Sequence, residues 1–175
     1  HLTTGFLGVG QLLPALTDAG FDELAYRLLH QDTYPSWLHA VRAGATTIWE
    51  RWDGWTAEAG YGNPEMNSYN HYALGSVGEW LYGTVAGIGY ASHAGRRLDL
   101  APRPDPSLTW VRASHLCPYG LVRSEWVRGA DGGLTLDFEV PVGVRATLRL
   151  PGSEPIELSS GHHQFHSTKG SCHAR

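Results

Sequence analysis

A change of hydrophobic period near Gly87 constrains this chain more than any other feature. From about residue 5 to residue 88 the apolar positions recur at helical spacing. Leu12, Leu13, Leu16 and Ala19 form one stripe, Phe21, Leu24, Ala25 and Leu28 the next, and Gly20 separates them as a helix stop. Tyr34-Pro35-Ser36 opens a third short helix that carries Trp37, Leu38 and Val41 and ends at Gly44. Residues 71–86 read as a fourth, with Ala73, Val77, Trp80, Leu81 and Thr84 on one side. Gly75, Gly78 and Gly83 in that helix each cost about 1 kcal/mol relative to Ala, which predicts close approach of a neighbouring helix.

Past Gly87 the period falls to two. Leu134, Leu136, Phe138 and Val140 alternate with Thr135, Asp137 and Glu139, the pattern of a half-buried strand. Further strands are predicted over 96–101, 108–116, 121–128, 145–150 and 164–166. Pro118-Tyr119-Gly120 and Ala130-Asp131-Gly132-Gly133 supply hairpin turns. The expected fold is therefore α+β in two parts, helices over 1–88 and an antiparallel β-sandwich over 89–175, with a flexible tail from about residue 167.

Composition narrows the function classes. The 175 residues are 42% hydrophobic and 17% charged, with a formal net charge of -4 and no Lys/Arg run. Nucleic acid and anionic membranes both need a concentrated basic field, so neither is an expected partner. No apolar run approaches the ~20 residues that span a bilayer. No signal peptide is recognisable, which leaves a cytoplasmic and a secreted location equally open. The chain begins at His1 and enters helix-like sequence at once, which reads as a fragment or a trimmed or tagged start. Cys117 and Cys172 are expected as free thiols rather than a disulfide scaffold.

The chemistry concentrates in two irregular stretches, 45–55 (ATTIWERWDGW) and 66–72 (MNSYNHY). Indoles offer apolar faces to the C–H surfaces of a sugar, while carboxylates, amides and an imidazole meet its hydroxyls. Glu50, between Trp49 and Trp52, is the candidate for acid or base chemistry, against the plainer reading that it pairs with Arg51 or a helix end. Asp53 is a candidate ligand-binding group. Glu58 and Glu65 read as solvated, and Glu79 as a structural partner. His71 and Asn70 stand at the mouth of the fourth helix, where Asn67 or Ser68 would cap it.

Other patterns carry less. Residues 5–10 (GFLGVG) lack the preceding strand and following Lys-Ser/Thr of a phosphate loop. His162, His163, His166, Cys172 and His173 lack a metal-site spacing and read as surface residues; no metal or cofactor is expected.

Residues 46–52 (TTIWERW), 66–82 (MNSYNHYALGSVGEWLY) and 28–37 (LLHQDTYPSW) closely resemble bacterial α-L-rhamnosidases, and the resemblance extends through SLTWVRASH and the PYG turn. It implies that residues 1–88 are the last helices of an (α/α)6 six-hairpin barrel, incomplete here, and that residues 90–166 are the family's C-terminal β-sandwich. It further implies hydrolysis of terminal α-L-rhamnose with inversion. Glu50 would be the general base, His71 and Asn70 sugar contacts, and Trp49, Trp52 and Asp53 the lining of the sugar pocket. The partner would be a rhamnose-containing glycoside or polysaccharide.

One departure from the family pattern matters. Its general acid lies in an Asp/Arg/Glu-rich motif, and Asp18, Asp22, Glu23 and Asp32 sit in ordinary helical context instead. The chain is thus expected to carry only the base side, to be inactive alone, and to self-associate or pair through exposed barrel helices. The alternative is a non-catalytic carbohydrate-binding or assembly module, with Trp110 and Trp126 as stacking or core residues.

Overall fold

A computed structural model of the chain describes residues 1–92, 95–168 and 171–174, with side chains up to residue 167. The chain divides into two compact units, His1–Trp80 and Leu81–Arg175.

The first unit contains α1 (Phe6–Asp18), α2 (Asp22–Leu29), α3 (Trp37–Arg42), a two-residue hairpin of β1 (Trp55–Thr56) and β2 (Gly60–Tyr61), then α4 (Tyr72–Gly75) and α5 (Val77–Trp80). The stops at Gly20 and Gly44 hold, with φ of 81° and 89°, which L side chains rarely adopt. The buried stripe of α1 is Val9, Leu13 and Thr17, not the run of leucines, and Ala19 is exposed. This i, i+4, i+8 row faces α4 and α5, and the Trp80 indole donates to Thr17 Oγ1 at 2.8 Å. In α2 the buried pair is Ala25 and Tyr26, while Phe21 and Leu24 are exposed. Tyr26 meets Trp80 edge to face at 5.1 Å. Ser36 caps α3 by accepting from the His39 amide, and the Trp37 indole donates to the Leu74 carbonyl at 2.8 Å.

The fourth helix is not continuous. It breaks at Ser76, whose hydroxyl donates back to the Ala73 carbonyl at 2.6 Å, and its end unwinds into a π turn over Leu81–Val85. Its glycines do not serve helix approach: a Cβ on Gly78 or Gly83 would meet nothing within 4 Å, and one on Gly75 would touch Ile48 at 3.7 Å. The close approach is at Gly10 of α1, where a Cβ would lie 3.1 Å from Ser76 Oγ. Gly78→Ala should therefore stabilise the chain, by about 0.5–1 kcal/mol, read as a rise of roughly 1–4 °C in Tm.

The second unit is a β-sandwich. Its strands are β3 (Ile88–Tyr90), β4 (Arg97–Leu100), β5 (Trp110–Cys117), β6 (Gly120–Arg128), β7 (Leu134–Val140), β8 (Arg145–Leu148), β9 (Ile156–Leu158), β10 (Gly161–Thr168) and β11 (Ser171–Ala174). They form a five-stranded sheet, β11-β10-β7-β6-β5, and a four-stranded sheet, β3-β4-β8-β9. All pairings are antiparallel except β4 with β8, which is parallel. The region expected as a tail carries β11, paired to β10 through Phe165↔Ala174 and its neighbours.

The core joins both sheets, with Leu98, Leu100 and Leu148 from one and Val122, Trp126, Leu136, Phe138 and Phe165 from the other. Trp126 and Ser124 donate to the carbonyls of Val85 and Ala86, which fixes the chain segment entering the sandwich onto β6.

Candidate functional site

The two stretches singled out in the sequence lie side by side in the first unit. The His71 amide donates to the Ile48 carbonyl at 2.9 Å, and the Glu50 amide donates to the Ser68 carbonyl at 2.8 Å. The Ser68 amide returns a 2.8 Å hydrogen bond to Glu50 Oε2. The carboxylate is thus held through one oxygen by a backbone donor, while Oε1 has no partner among the described residues. Arg51 forms its ion pair with Asp53 rather than with Glu50, Nε to Oδ1 at 2.9 Å and a terminal nitrogen to Oδ2 at 3.1 Å.

That fork holds the Asp53 carboxyl below the usual carboxylate range and pushes the Arg51 guanidinium further up. A depressed carboxyl stabilises the folded chain above its unfolded pKa, and the contribution is lost as pH falls through the depressed value. Arg51→Ala should raise the Asp53 pKa toward the ordinary range, which a carboxyl-carbon NMR titration reads directly.

His71 caps α4 itself. Its Nδ1 accepts from the Ala73 amide at 3.2 Å, so neither Asn67 nor Ser68 fills that role. With Nδ1 an acceptor, the neutral ring carries its proton on Nε2 and presents that edge as a donor. The ring packs against two aromatic neighbours: Tyr72 stacks at 4.9 Å and 25°, and Phe6 lies at 4.9 Å and 32°. Asn70 is exposed, and its amide donates to Ser68 Oγ at 3.2 Å.

The tryptophans take different places. Trp49 is only 7% exposed and meets Tyr69 edge to face at 6.1 Å. Trp52 is half-buried and stands edge to face on Trp37 at 5.6 Å. With Trp37, Ile48 and Leu74 they line a partly open apolar pocket of about 50 Å³, room for a few waters. Trp49 is thus largely covered in this chain, whereas Trp52 keeps part of its surface open. Arg51, Asp53, Gly62, Asn63, Met66 and Asn67 line a separate cleft of about 190 Å³.

Gly54, Gly62 and Tyr69, which the sequence reading passed over, hold this arrangement together with Asn67, expected there as a helix cap. The Gly54 carbonyl accepts from the Gly62 amide at 2.8 Å, from Tyr69 Oη at 2.6 Å and from Asn67 Nδ2 at 3.0 Å. Three donors on one carbonyl pin the 51–54 turn to the hairpin and to the irregular segment 67–69. Only the coincidence of Asn67 and Tyr69 within the MNSYNHY motif signals it in the sequence.

The histidines of β10 are engaged. His162 Nε2 is 2.7 Å from Asp137 Oδ1, His163 Nε2 is 2.8 Å from the Ser159 carbonyl, and His166 Nδ1 is 3.1 Å from Thr135 Oγ1. Among the described residues no group of three or more His, Cys, Asp or Glu is placed to hold a metal ion. Cys117 is a buried free thiol; the side chains of Cys172 and His173 lie outside the described residues.

Residues 1–85 match the bacterial alpha-L-rhamnosidase six-hairpin glycosidase domain, and residues 87–166 match the bacterial alpha-L-rhamnosidase C-terminal domain. An alpha-L-rhamnosidase of Streptomyces avermitilis is 43% identical over 172 residues, 98% of this chain and 17% of that protein. One from Formosa agariphila is 38% identical over 169 residues, 97% of this chain and 18% of that protein. The crystal structure of the Streptomyces avermitilis enzyme complexed with L-rhamnose superposes with a TM-score of 0.88 at 40% identity, covering 96% of this chain and 18% of that one. The native alpha-L-rhamnosidase of Aspergillus terreus superposes with a TM-score of 0.87 at 38% identity, covering 94% and 19%. The chain thus spans less than a fifth of the length of each of these relatives.

Proposed function

Because the chain belongs to the bacterial α-L-rhamnosidase family, we propose that it carries the water-activating half of a site that hydrolyses terminal α-L-rhamnosides with inversion. The observation that carries this reading is the Glu50 carboxylate, anchored at Oε2 by the Ser68 amide with Oε1 unengaged. A water held on Oε1 gives its proton to Glu50 as its oxygen bonds to the anomeric carbon. The glycosidic oxygen leaves from the opposite face and takes a proton from a separate acid. Inverting pairs stand about 6.5–9.5 Å apart to admit that water.

His71 Nε2–H donates to a sugar hydroxyl in this reading, with Trp52 and the exposed Asn70 as further contacts. Asp53, fixed by Arg51, borders the site, and Trp49 backs it. In this reading the acid is not drawn from residues 1–45, where Asp18, Asp22 and Glu23 lie at helix ends and Asp32, in the loop after α2, is paired with Arg42. The 175 residues as they stand are therefore inactive. The exposed Phe6, Leu7, Phe21, Leu24 and Val41 in turn support covering of these helices by further helices or a second copy.

The test has two arms. The isolated chain should release no nitrophenol from an aryl α-L-rhamnoside. Exchanged for the matching segment of the Streptomyces avermitilis enzyme, it should give an active chimera whose first-formed product by proton NMR is β-L-rhamnose. Turnover by the isolated chain would refute the half-site, and an α product would refute inversion.

A further inference from the structure

The outer face of the five-stranded sheet carries a feature that the hydrolytic site does not use. Along β5, Val111 and Ala113 pack toward the core, so Trp110 and Arg112 point outward. Trp110 is 60% exposed, whereas Trp126, the partner of Val111 on β6, is 1% exposed. The Arg112 guanidinium lies 5.7 Å from the Trp110 ring centroid and is itself held by Glu125 at 3.2 Å. The indole is thus oriented by a fixed partner yet leaves most of its surface to solvent, the preorganised arrangement that lowers the cost of binding. Across the strand pair stands Val127, also exposed.

The rest of this face has a particular electrostatic character. Arg123 pairs with Glu139 at 3.4 Å, and His162 pairs with Asp137 at 2.7 Å, each across neighbouring strands. With Arg112–Glu125, two Arg–carboxylate pairs compensate one another over β5, β6 and β7, and His162 hydrogen-bonds the Asp137 carboxylate from β10. Such a surface offers many donors and acceptors but little net field, which suits a neutral polyhydroxylated ligand better than an anion or a cation. Four strands at about 4.8 Å spacing make it about 14 Å wide, longer than a single sugar ring.

We propose that this face is a non-catalytic binding platform for a neutral oligosaccharide, with Trp110 stacking on one sugar and the Arg112–Glu125 pair meeting its hydroxyls. The choice of a rhamnose-containing glycan rests on the functional reading above; the platform itself rests on β5 and β6. The probe is a linear α-linked rhamnose trisaccharide, titrated into the 175-residue chain by calorimetry and by NMR of the indole N–H signals. Millimolar binding is expected, with the Trp110 indole signal, assigned through Trp110→Phe, among those that move.

Trp110→Ala should weaken this binding by roughly tenfold or more with Tm unchanged, because the side chain is exposed. Glu50→Gln and His71→Ala should leave it intact. Absence of binding to the trisaccharide overturns the proposal. So does binding lost in His71→Ala but kept in Trp110→Ala, which would support the hydrolytic site alone. Self-association in sedimentation that Trp110→Ala abolishes, without sugar binding, would make the face a protein interface and overturn it as well. If the chimera above proves inactive while Trp110-dependent binding persists, the functional reading fails and the platform stands.

Discussion

Glu50→Gln should abolish most of the activity of the chimera, lowering kcat by roughly 10²–10⁴-fold, the range a positioned general base contributes, while KM changes little. The substitution is nearly isosteric, and the amide oxygen of Gln still accepts from the Ser68 amide that holds Glu50 Oε2 at 2.8 Å. The hydrogen bonds between 48–50 and 68–71 therefore survive, and circular dichroism and Tm should match the parent. What is lost is the proton acceptor at the unengaged oxygen. Effects confined to kcat remove an interaction made only in the transition state. A purely structural carboxylate predicts the opposite, a fall in Tm with kcat per folded molecule preserved. Glu50→Ala, which leaves a gap, should recover part of its rate in added formate, a small carboxylate that can take the proton in its place.

Much of the arrangement of the candidate site was legible because its chemistry is contiguous. The IWERW and NHY stretches put the carboxylate and the imidazole close in sequence, and three hydrogen bonds between 48–50 and 68–71 bring them close in space. The roles of individual side chains were less legible, since they depend on rotation and register. Trp49 and Trp52 are equally suggestive in the sequence, yet one is sealed against Tyr69 and the other stands half-open against Trp37. His71 read as a sugar contact with a neighbouring cap, and its own Nδ1 turns out to be the cap.

In the fold, β7 was readable residue by residue because seven positions alternate between core and solvent. Strands β3 and β9 were not, for three residues are too few to display a period. The parallel pairing of β4 with β8 left no trace, because both are four residues long and the alternation of a half-buried strand is the same in either direction. In α1 the leucines outweighed Thr17 as core candidates. Tertiary context reversed this, since the Trp80 indole needs a buried acceptor and Thr17 supplies it.

Gly87, visible in the sequence only as the place where the period changes, is expected to be the least replaceable residue of the second unit. Its φ is 73°, and a Cβ there would lie 2.0 Å from the Pro102 nitrogen and 2.4 Å from the Ala101 carbonyl carbon. Those are backbone atoms, and they cannot swing aside. The Ala101 amide donates to the Gly87 carbonyl at 2.8 Å and the Arg103 amide to the Thr84 carbonyl at 3.0 Å, so the crossing of the two segments is clamped on both sides. Proline at 102 fits the crossing because its nitrogen has no hydrogen to be stranded there. Gly87→Ala must therefore break one clamp or open the β3–β4 pairing. The expected cost is at least about 4 kcal/mol, the left-handed strain plus overpacking. Gly132→Ala separates these two contributions. Its φ is 81° with nothing within 4 Å of the added Cβ, so it should cost only about 1–2 kcal/mol. Thermal unfolding should show Gly87→Ala at least about 10 °C below the parent, or unfolded in the second unit, and Gly132→Ala a few degrees below. Equal losses in the two variants would mean that conformational strain alone is at work and that the backbone crossing at Pro102 yields readily.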